Sequence, residues 1–285
     1  MNSDLYPHIL SRRSVRSYDQ RHFEPADKAR IEMIIKNSQP LIVENKFQVL
    51  FREKERGQDL VSVLGAYGRF ISPPYYLLPY LIGDKLAYVD LGYRVQQITI
   101  QLLSKGIGSC NIGCLSRQVK VRSDFQLPEN ALMASFLAIG YPSENFGIDK
   151  LTSGVKSILG VRNRLPITEI CFQDSFEKHY EPQGLWRKII EAGCLAPSAV
   201  NAQPWRFLLM NDELYLFTIQ GSRKYLLAEN HHYALHDCGV CMANMDMTMA
   251  AMGLQREWIF LDGQIDERLK CPPNLYPLAK LIIKI

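Results

Sequence analysis

The chain has 285 residues, 47% of them hydrophobic, and a formal net charge of +4. That length suits one large domain or two of ordinary size with a proper core, the small positive surplus argues against a nucleic-acid-binding surface, and no run of about 18 uninterrupted apolar residues is present to span a membrane. Seven cysteines, an odd number scattered over both halves and often inside apolar segments, read as reduced buried thiols and not as a disulfide framework.

Leu5 to Leu10 reads as a short helix, and the chain then runs into Ser11-Arg12-Arg13-Ser14 with no apolar signal core, so a soluble cytoplasmic protein is expected. Pro25-Ala26-Asp27 opens a second helix with apolar positions at Ile31, Ile34 and Ile35. Strands are expected at Phe47 to Phe51 and Tyr76 to Ile82. Between Val89 and Ser104 the positions Leu91, Val95, Ile98, Leu102 and Leu103 mark a long helix, apolar on both faces and so buried on all sides. A glycine-rich turn from Gly106 to Gly113 follows, then a polar helix from Gln118 to Phe125 and a strand ending at Gly140. The plan is repeated from Leu185 onward, with a last strand at Leu278 to Ile285, and the polar run Gln173 to Gly184 links the halves. Alternating helices and strands with few hairpins imply an α+β layered fold.

The repetition is written in the residues. One helix opens at Asp90 and is closed by Gly106; another opens at Asp237 and is closed by Gly253, 147 residues later in both cases. Ile34-Ile35 lines up with Ile189-Ile190, Phe47 to Leu50 with Phe207 to Met210, and Ala134 to Ile139 with Ala279 to Lys284. One fold is written twice, divided into residues 1–172 and 173–285. The chemically specialised residues are not duplicated: each half keeps a different subset.

Three motifs carry that chemistry. In Arg12-Arg13-Ser14-Val15-Arg16, alternate positions present guanidinium, hydroxyl and guanidinium, a set suited to a phosphate and an electron-rich ring edge; alone, such a run is more often a solvated basic patch. The segment Ala196-Pro197-Ser198-Ala199-Val200-Asn201-Ala202-Gln203-Pro204-Trp205 leads straight into a strand and exposes backbone and amide groups that can bond a polar heteroaromatic ring. Its counterpart between Asn37 and Lys46 is five residues shorter. In Gly106 to Gly113 the glycines let main-chain N–H groups approach a ligand, whereas the equivalent segment, Gly253-Leu254-Gln255-Arg256-Glu257, has lost them.

Together these residues resemble the nitroreductase family of FMN-dependent oxidoreductases, over nearly the whole chain and in two passes. The resemblance implies a nitroreductase-like α+β fold. Family members are typically homodimers that bind FMN at the subunit interface, so the chain is similar to a fused, intramolecular pseudo-dimer, monomeric in itself and holding one FMN. Carried over by motif, the cofactor-binding residues are Arg12, Arg13, Ser14 and Arg16; Cys110, Asn111, Ile112 and Gly113; Arg162 and Arg164; and Pro197, Ser198, Ala199 and Asn201. Arg12, Ser14, Arg162 and Arg164 are expected at the phosphate, Arg16 at the N1–O2 edge, and the backbone of Cys110 to Gly113 facing N5 and O4. The activity implied is hydride transfer from NAD(P)H through flavin to a nitroaromatic, quinone or similar electron-poor small molecule, with no catalytic side chain required because the isoalloxazine carries the chemistry. The alternative is a flavin-binding protein without turnover, for storage or sensing.

Asn111 stands where the family often has an aromatic residue, and Cys114 where a small glycine is usual. Arg69 is a weaker candidate for the ring edge, and Tyr225, His231, His232 and Tyr233 for the substrate side. Cys238 and Cys241 have the spacing of a metal pair, but no second Cys/His cluster accompanies them and no metal is expected. The methionines at 242, 245, 247, 249 and 252 are expected to pack the interface between the halves.

Overall fold

The computed structural model describes residues 5–54, 71–84, 86–143, 164–220, 231–266 and 269–284. The chain divides into two compact units, one of residues 11–155 and the other of residues 1–10 with 156–285. The boundary expected at 172/173 falls inside a strand of the second.

The first unit opens with helix α2 (Pro25–Lys36), where Pro25 occupies the first turn and Arg30 bonds Asp27 at 2.7 Å. Its inward residues Ile31 and Ile34 join a core with Tyr75, Leu77, Ile98 and Leu137. Strands β1 (Lys46–Glu53), β2 (Tyr75–Ile82), β3 (Gly108–Gly113) and β4 (Ser135–Gly140) form an antiparallel sheet in the order β1-β2-β4-β3. Helix α3 (Ala87–Leu103) connects β2 to β3, and α4 (Gln118–Asp124) connects β3 to β4. From Ala87 to Ile100 every residue of α3 is buried, as its apolar pattern requires. The glycine-rich segment is the main departure: only its start is a turn, and Gly108–Gly113 is an edge strand paired residue by residue with β4, from Gly108 opposite Gly140 to Gly113 opposite Ser135.

The second unit begins with α1 (Tyr6–Ser11), whose Tyr6 ring lies under the Lys188 ammonium at 4.8 Å. It continues with the one-turn α5 (Ile167–Ile170), strands β5 (Cys171–Gln173) and β6 (Ser175–His179), and helix α6 (Gly184–Cys194). The run expected as a link therefore contains a strand. Strands β7 (Trp205–Met210), β8 (Glu213–Ile219), β9 (Gln255–Phe260) and β10 (Leu275–Lys284) complete a sheet ordered β6-β5-β7-β8-β10-β9, with helix α7 (His231–Ala251) between β8 and β9.

Apart from the added β5–β6 pair, the second sheet has the order of the first, and each unit inserts its long buried helix at the same point. The two helices also end alike. Gly106 and Gly253 adopt φ +75 and +72, and the next residue donates back into the helix, Ile107 N–H to Leu102 O and Leu254 N–H to Met249 O, each at 3.0 Å. All seven cysteines are free thiols, six of them buried. No helix among the described residues is long and apolar enough to cross a membrane.

Candidate functional site

In the first unit the basic segment is laid along the open edge of the sheet. Val15 N–H donates to Ser109 O at 2.8 Å, and the Val15 side chain packs so closely on Gly108 that a Cβ there would lie 2.6 Å from Cγ2. Further along, the Tyr18 hydroxyl donates to Val15 O at 2.7 Å and lies 3.1 Å from Ala138 O, and Asp19 N–H bonds Tyr141 O at 2.9 Å. Val15 and Tyr18 are buried; Arg12, Ser14 and Arg16 are half-buried and Arg13 is exposed. Val15 anchors the segment, and the polar residues Arg12, Arg13, Ser14 and Arg16 around it stand out of the core.

Three of these polar residues act on the Cys110 thiol. Burial pushes the Cys110 thiol up, while the Arg16 and Arg12 guanidinium groups and a hydrogen bond with Ser14 pull it back. In an antiparallel ladder backbone groups alternate sides. Because Ser109 O faces the Arg12–Arg16 segment and Cys114 N–H faces Ala134 O at 2.8 Å, the backbone groups of Asn111 and Gly113 face away from β4. Asn111 Oδ1 accepts the Ser135 hydroxyl at 3.2 Å, and Ile112 is buried in the core. The donor set is two guanidinium groups, a hydroxyl and an edge strand with outward N–H groups, which fits a phosphorylated, polar heteroaromatic ligand.

The loop of the second unit is tightly built. Ala199 to Asn201 makes one 3₁₀ turn in which Asn201 N–H bonds Ser198 O and Ala202 N–H bonds Ala199 O, each at 3.0 Å. Val200, Asn201 and Gln203 have φ of 47, 54 and 50, the left-handed region, at about 1–2 kcal/mol per non-glycine residue. Several bonds hold them there. Asp237 Oδ2 accepts Ala199 N–H at 2.9 Å, Ser198 Oγ accepts Gln203 N–H at 3.0 Å, and buried Gln203 accepts Leu165 N–H through Oε1 at 3.0 Å. Arg164 donates through Nη1 to Ala196 O at 2.8 Å and Asn201 Oδ1 at 3.3 Å, and through Nη2 to Leu195 O at 3.1 Å. Arg206 Nη1 bonds Trp205 O at 2.6 Å and Gln203 O at 3.1 Å. Val200, 52% exposed, projects from this frame.

A family model described as "Putative TM nitroreductase" matches residues 4–220. The chain belongs to this family. The crystal structure of a putative nitroreductase from Thermotoga maritima is 21% identical, covers 90% of this chain and 89% of its own, and superposes with a TM-score of 0.55. The nitroreductase-like α+β fold is thereby shared. An FMN-dependent nitroreductase from Clostridium difficile is 17% identical over 48% of this chain and 87% of its own, with a TM-score of 0.40. Nitroreductase A from Vibrio parahaemolyticus is 19% identical over 51% of this chain and 70% of its own, with a TM-score of 0.44. No curated protein matches.

Within this nitroreductase frame the expected residues fall into two groups. Arg12, Ser14, Arg16 and β3 lie together in the first unit; Arg164, Pro197, Ser198, Ala199 and Asn201 lie together in the second. Arg162, Arg69 and Tyr225 lie outside the described residues. His231 to Tyr233 begin α7, and Tyr233 packs with Ala199, Ala202 and Ala234 beside the loop. Cys114 is fully buried, its thiol pushed up to about 12, and Cys238 and Cys241 are buried on α7. Met242, Met245, Met247 and Met249 are buried there as well.

Sequence reasoning missed two ties of the loop. Gln203 stood inside the quoted motif, but its type gave no sign of a buried amide bonded at both ends. Asp237 was visible only as a repeated helix residue. Its counterpart Asp90 makes the equivalent bond, accepting Leu41 N–H at 2.7 Å after α2, so the repeat at 147 residues marks two loop anchors.

Proposed function

We propose that this nitroreductase-family chain is an FMN-dependent oxidoreductase that passes hydride from NAD(P)H to nitroaromatic, quinone or similar electron-poor acceptors. The observation that carries the reading is the Arg12–Arg16 run held along the outward backbone edge of β3 by the Val15 N–H bond to Ser109 O at 2.8 Å.

Arg12, Ser14 and Arg162 would hold the phosphate by charge-assisted bonds, with Arg13 in the same cofactor-binding segment. Arg16 would stabilise negative charge at the N1–O2 edge, and the backbone of Cys110, Asn111, Ile112 and Gly113 would bond the N5–O4 edge. Pro197, Ser198, Ala199 and Asn201 would cover the ring and exclude water, with Arg164 in the same set. FMN, when bound, supplies the two-electron chemistry at N5; the protein residues bind, orient and polarise, and none is asked to transfer a proton.

Because the basic segment and the covering loop belong to different repeats, and neither is duplicated, we assign one FMN to each chain, in a fused, monomeric pseudo-dimer. The reciprocal strand supports this reading: where β3 has Ser109, Asn111 and Gly113, β9 has Arg256, Trp258 and Phe260, and Asp246 accepts both Trp258 Nε1 at 2.9 Å and Arg256 Nε at 3.3 Å. The deciding experiment is flavin stoichiometry from the visible spectrum after saturation with FMN, followed by anaerobic addition of NADH and then NADPH. One FMN that bleaches is the expected result. Two per chain would remove the asymmetric site, and one that never bleaches would leave a flavin binder without turnover.

A further inference from the structure

We propose that Arg164 is a positioning residue which fixes the Pro197–Asn201 loop for the flavin ring, and that its part in flavin binding is independent of the phosphate. The inference rests on the flavin reading above, and it departs from what a basic residue beside a cofactor motif suggests.

The bond pattern carries it. Both terminal nitrogens of the guanidinium are directed into the loop, onto Leu195 O, Ala196 O and Asn201 Oδ1. Leu195 O and Ala196 O lie before the left-handed stretch and Asn201 Oδ1 lies within it, so one planar fork ties the entrance of the strained turn to the turn itself. The following residue repeats the tie, because Leu165 N–H bonds Gln203 Oε1, and Gln203 Nε2 reaches Asn201 O at 3.4 Å. Segment 164–165 thus serves as a backing strip for the loop. The environment agrees: desolvation lowers the Arg164 pKa, with the buried thiols of Cys194 and Cys241 nearby, and a guanidinium so placed is satisfied by the carbonyl groups it meets. Ring contacts depend on where the loop stands, and the loop stands where Arg164 holds it.

FMN and riboflavin separate the two roles, since they share the ring and differ in the phosphate. Dissociation constants for both are measured by flavin fluorescence on the full chain, its folding checked by circular dichroism, for wild type, Arg164→Gln, Arg164→Lys and Arg12→Gln. Arg164→Gln is expected to weaken FMN and riboflavin by the same factor, about 10- to 100-fold. Arg12→Gln is expected to weaken FMN selectively. Arg164→Lys, which keeps the charge but cannot reach all three acceptors, is expected to follow Arg164→Gln; it carries the same comparison should the glutamine variant not fold. An FMN-selective loss in either Arg164 variant would make Arg164 a phosphate ligand and overturn the proposal, as would unchanged affinity for both flavins.

Amide exchange of Asn201 and Ala202, read without any flavin, gives an independent arm. Faster exchange confined to that loop in the Arg164 variants is expected, and unchanged exchange would overturn the positioning role. Failure of wild type to bind either flavin would instead sink the flavin reading, leaving the exchange result to stand on the loop alone.

Discussion

The Asp237 carboxylate accepts the backbone N–H of Ala199 at 2.9 Å, from a position only 3% exposed. A charged acceptor buried on a helix is thereby spent on the first residue of the loop's 3₁₀ turn. Replacing it with alanine leaves an N–H without its partner and is expected to cost about 1.5–3 kcal/mol, measured by urea denaturation, with weaker flavin binding alongside. Asp90→Ala should destabilise as well, because Asp90 accepts Leu41 N–H at 2.7 Å and Asn45 Nδ2 at 3.1 Å and faces Arg94 Nε at 3.4 Å.

Gly108→Ala would drive a methyl group into Val15, which sits 2.6 Å from the ideal Cβ position. The expected cost is about 1–3 kcal/mol, together with loss of FMN affinity as the basic segment lifts from β3. Adding Val15→Ala removes the two γ carbons at 2.6 and 3.0 Å but keeps the Val15 Cβ at 2.9 Å, so the clash is eased only in part. In a double-mutant cycle the two changes should therefore couple favourably, the second recovering part of what the first loses.

Tyr18→Phe removes a hydroxyl placed between Val15 O and Ala138 O. About 1–2 kcal/mol of stability should go with it, and limited proteolysis should cut the Arg12–Arg16 segment faster than in wild type.

Stability should fall at alkaline pH. Burial pushes the thiols of Cys114, Cys171, Cys194 and Cys238 up to about 12 from the ordinary 9.0. In the unfolded chain they lose protons near pH 9, while in the folded protein they hold them, so the folded state binds more protons above pH 9. Their contribution is complete below pH 9 and is lost as the pH rises toward 12. Urea midpoints taken at pH 7.5, 9 and 10.5 should show little change over the first interval and a clear drop over the second; a midpoint that is flat throughout would refute this.

Much of the fold could be read from particular residues. The apolar positions on both faces of α3 announced a fully buried helix, and the Asp90/Gly106 and Asp237/Gly253 pairs identified equivalent anchors and caps. Other features were hidden for physical reasons. Three glycines between 106 and 113 resemble a turn, although Gly108 is needed only because Val15 presses on it, and the segment is an edge strand. Strand β6 lay inside a polar run because Glu177, Lys178 and His179 are exposed, so no apolar alternation marked it. Residue type placed Arg164 near the cofactor motif, but type cannot say whether a guanidinium meets a phosphate or three protein oxygens. In the first unit the basic run Arg12 to Arg16 was visible by type, whereas its anchor, Val15 against Gly108 and Ser109 O, was not, because a lone valine among arginines gives no sign of what it packs on.

The grouping of residues 1–10 with residues 156–285 bears on how the protein comes into being on a ribosome. The Lys188 ammonium that rests on the Tyr6 ring follows Tyr6 only after 181 intervening residues have been made. At roughly 5–20 residues per second, the N-terminal helix waits on the order of 10–35 s for its partner. During that interval residues 11–155 are completed and free to fold, so helix α1 finds its place only after a unit that follows it in the chain.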